Sequence, residues 1–521
     1  MVFDGQIQFL GRLLKPRSRD KSPRPSQTSA GCWNSPFVFR VRSNVAAENK
    51  IFRQQRLGVS VFVSLSFLLI TQANVTAGED YLLKPSQATG KFQRVKAALE
   101  VRGKLKLNAD GSGITKLPIK VKGELLYDER MLVADRGRRK HVRYYHEAQA
   151  TIQVRQTRKQ TRLPEDRRLL VSQQGTQSVT LYSPLGPLTR DALELVDIQG
   201  SSAVLDQLLP LERVGIGDSW PNDDATIAVL LGLEAVLQND TTSTLRKIEG
   251  PIVIIKMKGV VSGAVGGVST DIELDAIYNF DRDLGQVTWL AMSLKEQRAI
   301  GHAEPGIDAT ARLRIALTPI DEPPHLTDAA LAGLPLDHHE GSELIEFRSQ
   351  EGGFRFVHGR GWQVMVDRHD VAILRLIERG DLIAQCNASS LPPLKPGQHL
   401  QLAAFQTDVE RALGDKFGQF TEASQLTTDS GLRVLRAVVS GVVSELPIHW
   451  TYYHISNDKG RQMALVFTLD ARLTERFAEA DQMLIGSLEF RKPPEPSTAK
   501  AGDISSDSLR AAGQPVNSVS R

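Results

Sequence analysis

Cysteine is almost absent from this chain, with two in 521 residues, Cys32 and Cys386. That excludes a disulfide-stapled secreted scaffold. If an N-terminal segment is removed near residue 77, only Cys386 remains, and it reads as a small buried apolar residue. Aromatic residues make up 6% of the chain. No apolar run is long enough for a comfortable membrane span. The longest uncharged apolar core, Leu57 to Ile70, has 14 residues, whereas a transmembrane helix needs about 20. Methionine does not occur between Met1 and Met131. A start later than Met1 would therefore use a codon normally read otherwise. Val45 would leave Lys50, Arg53 and Arg56 as an ordinary basic flank.

Recognisable catalytic patterns are also missing. No HExxH or paired-cysteine metal motif occurs. "GAVGGV" at 263–268 lacks the Lys-Ser/Thr and following helix of a phosphate loop and reads as a glycine-rich hairpin. Ser219 in "GDSWP" lacks the glycines of a nucleophile elbow. It reads as part of a turn that Asp218 orders, with Trp220 packed inward. The paired acids Asp281 and Asp283 are turn residues.

The charge is uneven. Residues 1–56 carry 11 Lys/Arg against 3 Asp/Glu, residues 57–78 carry none, and the remainder has 53 basic against 57 acidic groups. The basic balance thus belongs to the leader and gives no argument for nucleic-acid binding. Residues 1–56 are expected to form a disordered basic leader. Residues 57–77 are expected to form a signal-peptide core and cleavage region, with Val75 and Ala77 at the small-residue positions and cleavage between Ala77 and Gly78. An exported protein, periplasmic or secreted, follows. It would touch the membrane only transiently through this segment, unless an uncleaved signal anchor tethers it.

From about 79 to 320 the pattern is strands. "KFQRVKAALEVRGKLKLN", "TKLPIKVKGELLYDE" and "VSTDIELDAIYNF" alternate apolar and polar residues, as in an antiparallel sheet with one wet face. "DRDLG" marks a hairpin. "LTRDALELVDIQGSSAVLDQLLP" reads as short helices and "VGIGDSWP" as a tight turn. Residues 321–342 read as a linker with one helical turn, and 493–521 as a disordered tail.

Residues 343–492 have a different order. "GFRFVHGRGWQVMVDRHDVAILRLIERGDLIAQCNASSL" reads as strands. "LQLAAFQTDVERALGDKFGQF" reads as a helix with Phe405, Val409, Leu413 and Phe417 at four-residue spacing. Three strands follow, with "NDKG" turning the last hairpin. A helix closes the region, capped by Asp470 or Thr474, with Phe477, Met483 and Leu484 towards the sheet.

That order, with Gly361-Trp362 after the first strand, the central helix, the "IHWTYYHIS…RQMALVFTLD" hairpin and the final "ADQMLIGSLEF", resembles the PsbP/Mog α/β sandwich family over about 150 residues. "HGRGW" departs from the proline that often precedes the Gly/x-Trp pair. The resemblance implies a non-catalytic interaction module and carries over no catalytic residue. Residues 79–320 weakly resemble uncharacterised secreted bacterial β-rich domains with a "GDSW"-type turn. The expected fold is α+β and β-rich: an antiparallel sheet-rich domain followed by a PsbP/Mog-like sandwich.

Three residue groups invite chemistry. His338-His339-Glu340 lies in the linker, where adjacent side chains point apart, and reads as solvated. "RGRRKHVRYYH", Arg136 to His146, could meet a polyanion, but reads more simply as a hairpin tip with an exposed strand face. His449 and His454 flank Trp450, Tyr452 and Tyr453 on one strand. Residues 450, 452 and 454 share one face, and 449, 451 and 453 the other. No catalytic, cofactor-binding or metal-binding residue is assigned. The function expected is an exported non-catalytic envelope protein that binds or stabilises a partner. The alternatives are a carrier of lipid or another hydrophobic ligand in the first domain, and an enzyme of unrecognised type.

Overall fold

The computed structural model describes residues 79–491, except 87–88, 108–112, 134–138, 176–177, 350–351 and 369. The proposed cleavage point at Ala77 and Gly78, the basic leader, Cys32 and the C-terminal tail lie outside the described residues. The described residues fall within one compact unit, built from three sheets whose strands pair antiparallel except at one short parallel pairing.

The first sheet is formed from β1 (Phe92–Leu107), β2 (Thr115–Val133), β3 (Lys140–Val154), β4 (Thr157–Arg162), β5 (Leu169–Gln174), β6 (Val179–Tyr182), β8 (Ser219–Pro221), β9 (Ala235–Asn239), β10 (Thr242–Glu249), β11 (Ile252–Val265), β12 (Val268–Asp281), β13 (Gln286–Arg298) and β14 (Gly306–Pro319); the two-residue β7 (Leu188–Thr189) pairs elsewhere. The main order is β6-β5-β3-β2-β1-β14-β13-β12-β11-β10-β8, with β4 beside β3 and β9 beside β11. β12 buries every second residue through most of its length, so the sequence alternation becomes one wet face and one packed face.

Laid flat, eleven strands would span roughly 48 Å. Yet side chains from β1–β3, β5, β6 and β10–β14 meet in one cluster with α1 (Arg190–Val196), a 3₁₀ turn (Leu205–Leu208) and α2 (Asp224–Leu231). The sheet therefore wraps around this helical segment. α1 is capped by Thr189, whose hydroxyl accepts from the Ala192 N–H at 3.3 Å. α2 is capped by Asp223, which accepts from Thr226 N–H at 2.8 Å, and it stops at Gly232 with φ 69°. Ile227 to Leu231 are all buried, so α2 shows no polar face and no helical period.

Residues 321–342 run along the opposite face of β3 and β5. Leu326 and Leu331, the latter on α3 (Asp328–Leu331), pack with Val142, Val171 and Tyr182. Arg130 donates to the Leu326 carbonyl at 2.9 Å, and the Tyr182 hydroxyl donates to that of Leu336 at 2.9 Å. His325 stacks on Tyr144 with centroids 3.8 Å apart.

The second part contains β15 (Ile345–Ser349), β16 (Phe354–His358), β17 (Trp362–Asp367), β18 (Val371–Glu378), β19 (Asp381–Leu391), β20 (Phe417–Thr427), β21 (Arg433–Val443), β22 (Leu446–Ser456), β23 (Gln462–Asp470) and β24 (Glu489–Phe490). A seven-stranded antiparallel sheet has the order β17-β18-β19-β23-β22-β21-β20. α4 (Leu402–Leu413) covers one face through Phe405, Val409 and Leu413 against Trp450, Tyr452 and Val466. The other face packs Tyr453, Leu465 and Phe467 against Trp362, the β15–β16 hairpin and the closing helices α5 (Thr474–Phe477) and α6 (Ala480–Gly486). Because both faces are covered, Met463 to Leu469 are buried without interruption.

Two expectations need correction. The central helix ends at Leu413, where Gly414 (φ 53°) breaks it, and Phe417 opens β20 while still packing against the same cluster. The closing helix is two short helices separated by Ala478 (φ 43°), and Met483 faces outward, 42% exposed.

Candidate functional site

A cavity of about 600 Å³ lies between the inner face of the first sheet and the helical segment. A second space of about 110 Å³ adjoins it, sharing Ala97, Leu125, Glu194 and Ile198 as walls. The smaller space follows from side-chain size and register. Leu99 pairs with Gly123, and Gly123 with Ala150, across β1, β2 and β3. Gly123 contributes no side chain, and a Cβ built there would come no nearer than 3.9 Å to any neighbour. The missing volume is not refilled, and Val121, Ile152 and Leu195 complete an apolar slot. The combined size falls within the range of small-molecule sites, about 300–1,000 Å³.

The larger cavity is amphipathic. Leu193, Val196, Ile272 and Ile315 give it apolar wall, while Arg143, Arg190, Glu194, Asp197, Glu304 and Arg360 give it charge. Asp197 and Glu194 both have accessible surface, yet burial among protein groups raises the pKa of each carboxyl. The two observations agree if the accessible area faces the cavity rather than bulk water, and both residues line it.

Beside the cavity is a buried polar network. Glu129 accepts from Arg143 Nε at 2.6 Å, from Ser202 Oγ at 2.8 Å and from Gln93 Nε2 at 2.7 Å. Burial opposes its ionisation, but His141, Arg143, Gln93 and Ser202 together bring the Glu129 carboxyl down to about 2. Burial lowers His141 to about 4. Arg143 lies over the Tyr127 ring at 5.0 Å. Tyr127 in turn packs against Tyr145, with centroids 4.8 Å apart. Arg139 donates to Ala203 O at 3.2 Å and pairs with Asp206 at 3.5 Å, and Asp206 accepts from Val287 N–H at 3.0 Å. This chain of contacts ties β3 to β13 across the helical segment.

The basic stretch therefore differs from the exposed strand face expected of it. Arg136 to Arg138 lie outside the described residues, but Arg139, His141 and Arg143 are all buried. They alternate with Val142, which packs on the opposite face. His338 is exposed and contacts Glu343 at 2.8 Å. Among the described residues, no group of three or more His, Cys, Asp or Glu is placed to hold a metal ion. Ser219 is exposed and shares a hydrogen bond with Thr244 at 2.7 Å. Trp220 donates to Leu208 O at 2.9 Å. Asp281 accepts from the Asp283 and Leu284 N–H groups in its turn. His454 contacts Gln462 at 2.8 Å and sits near Phe405, and burial lowers its pKa. His449 is half-buried on the other face. Burial pushes the Cys386 thiol well up, and it packs in the core. Ser219 and Trp220 border one cleft, together with Asp218 and Asp223.

Tyr145, Glu194, Asp197 and Gly123 were not legible as site residues, because their meeting depends on strand register and on where α1 crosses the sheet. Among the described residues, no helix is long and apolar enough to cross a membrane.

No family model and no curated protein matches the chain. Solved structures that match include cyanobacterial PsbP from Synechocystis, 19% identical over 30% of this chain and 99% of that one, with a TM-score of 0.23. A protein of unknown function from Pseudomonas aeruginosa is 12% identical over 29% of this chain and 99% of that one, with a TM-score of 0.21. A lipovitellin structure is 10% identical over 49% of this chain and 28% of that one, with a TM-score of 0.28. Likeness at this level carries no argument about function.

Proposed function

We propose that this is an exported, non-catalytic carrier whose β-rich first part holds a hydrophobic ligand between its sheet and α1. The observation that carries the reading is the adjoining pair of spaces, in which Gly123 and Ala150 leave an apolar slot open to a larger amphipathic cavity. Apolar cavities of about 150 Å³ stay dry and take benzene-sized guests, so the slot suits part of an apolar chain or ring. In this reading the second part is a PsbP/Mog-like sandwich that serves as an interaction module, and the protein acts in the periplasm or outside the cell.

Uptake of the neutral dye Nile red tests the carrier function. The wild type should bind it, and Gly123→Leu, which fills the slot, should weaken binding roughly tenfold, the equivalent of about 1.4 kcal/mol. Failure of the wild type to take up dye would sink the reading. Export is checked separately by the mass of the mature N-terminus, and a chain retaining residues 1–77 would contradict cleavage after Ala77.

A further inference from the structure

We propose that the tip of the β1–β2 hairpin docks on an anionic lipid surface, its outer-face lysines and arginines against the phosphates and Ile114 in the interfacial layer. The inference goes beyond the carrier reading and does not depend on it.

The positive charge here is local, since the chain after residue 78 has 53 basic against 57 acidic groups. On the outer face near the tip, strand register sets like charges side by side. Lys116 faces Lys106, and Lys120 faces Arg102. The second row continues through Gln153 to Arg158. Lys104 and Lys122 lie on the same face of the same two strands. All of these cations but Lys106 are exposed. The acids among them are Glu100, 3.8 Å from both Arg102 and Lys122, and Asp308, opposite Lys104. Among the described residues, no ion pair closes on Lys104, Lys106, Lys116, Lys120 or Arg158. Like charges directly opposed destabilise a sheet. The other half of the same face is built differently. There Lys295 meets Glu273 at 2.9 Å, and Lys256 meets Asp275 at 3.1 Å. The sheet pairs its surface charges where it can, and the unpaired cations gathered at one tip fit a partner that brings negative charge.

Apolar exposure at the same tip selects the partner. Ile114, immediately before β2, is 60% exposed. Leu105, Leu107, Leu117 and Ile119 are only half-buried on the inner face of the hairpin. The tip thus carries cations on one face and incompletely covered apolar side chains on the other. A membrane surface answers both, with phosphates for the cations and an apolar boundary layer for Ile114. A nucleic acid supplies phosphates alone, and single strands are held by stacking on aromatic side chains. Residues 99–107 and 114–122 contain no aromatic. Val121, on the same inner face as Ile119, lines the apolar slot, so docking by this tip brings the slot to the lipid.

The test uses the full chain. Because residues 1–56 are themselves basic, binding is read lysine by lysine, as protection from acetic anhydride measured by mass spectrometry. Vesicles of phosphatidylglycerol and phosphatidylcholine in equal parts should protect Lys104, Lys106, Lys116, Lys120 and Lys122. They should leave Lys256 and Lys295 reactive, and phosphatidylcholine alone should protect none of them. A lysine near an anionic surface strengthens binding about fivefold, so Lys106→Gln/Lys116→Gln/Lys120→Gln should raise the lipid needed to protect Lys104 about a hundredfold. The melting temperature of that variant should not fall, because opposed like charges are removed. Ile114→Ser should weaken protection by vesicles and leave protection by heparin unchanged. Unchanged reactivity of the tip lysines with anionic vesicles would overturn the proposal, even if the leader holds the chain on the membrane. Equal protection by phosphatidylcholine alone would remove the role of charge, and a clear fall in the melting temperature would give the lysines to the fold instead. Vesicle protection indifferent to Ile114→Ser would overturn the lipid surface as partner in favour of a soluble polyanion.

Discussion

His141 and Glu129 occupy one buried network, and acid acts on them in the same direction. Burial lowers His141 from 6.5 to about 4. The unfolded chain therefore takes up a proton below pH 6.5 that the folded chain refuses until about pH 4. The stability of the neutral, buried form is present above pH 6.5 and is lost as pH falls through this window. At 1.36 kcal/mol per unit the loss is about 3 kcal/mol at most. Glu129, held down to about 2 by its partners, adds its own loss between about pH 4.5 and 2. His358, lowered to about 4 by burial, acts like His141 from the second part of the chain. Urea unfolding midpoints measured from pH 7 to 4 should fall steeply in the wild type and less steeply in His141→Leu. Parallel slopes for the two proteins would show that His141 is not the group being titrated.

At the scale of elements, two glycines in one turn separate backbone strain from packing. Gly266 and Gly267 join β11 to β12, with φ of 57° and 69°. A Cβ on Gly266 would meet nothing closer than Glu304 Cγ at 3.8 Å, whereas one on Gly267 would fall 2.0 Å from Gly380 N. Gly380 turns the β18–β19 hairpin, so two hairpin tips touch backbone to backbone. Gly266→Ala should cost about 1–2 kcal/mol, the left-handed penalty alone. Gly267→Ala should cost at least about 1–3 kcal/mol more, as overpacking does. Equal melting temperatures for the two variants would remove the contact from the account. This turn was legible as a hairpin from "GAVGG", because glycine pairs between alternating strands signal a turn. The alternation of β12 and the unbroken apolar run of β23 were legible for similar reasons. α2 was not, since a helix buried on every side has no period to detect. β20 was not either, because an edge strand bearing polar side chains along most of its length resembles a loop. The cavity was illegible for a different reason. Gly123 and Ala150 are ordinary strand residues one at a time, and the gap exists only once the register sets them side by side.

Across the whole molecule, the β-rich first part and the second part share structure that also borders the cavity. β7, just before α1, pairs parallel with β15, matching Leu188 with Ile345. Arg190 donates to the Arg360 and Trp362 carbonyls, and Arg360 donates back to Leu181 O. Hydrogen bonds from charged groups contribute about 1.5–3 kcal/mol each, so this exchange accounts for several kcal/mol of coupling between the parts. The wild type should therefore unfold thermally in one transition. Arg190→Met/Arg360→Met should give two transitions, read by calorimetry, because each part retains its own apolar core. Both arginines also line the cavity, so in the proposed carrier ligand binding would be linked to the association of the parts. A ligand at 100 times its Kd stabilises whatever binds it by about 2.7 kcal/mol. Nile red at that level should raise the single wild-type transition as a whole. In the double variant it should raise only the transition of the β-rich part, and a rise in both would mean that the coupling runs through contacts other than these two arginines.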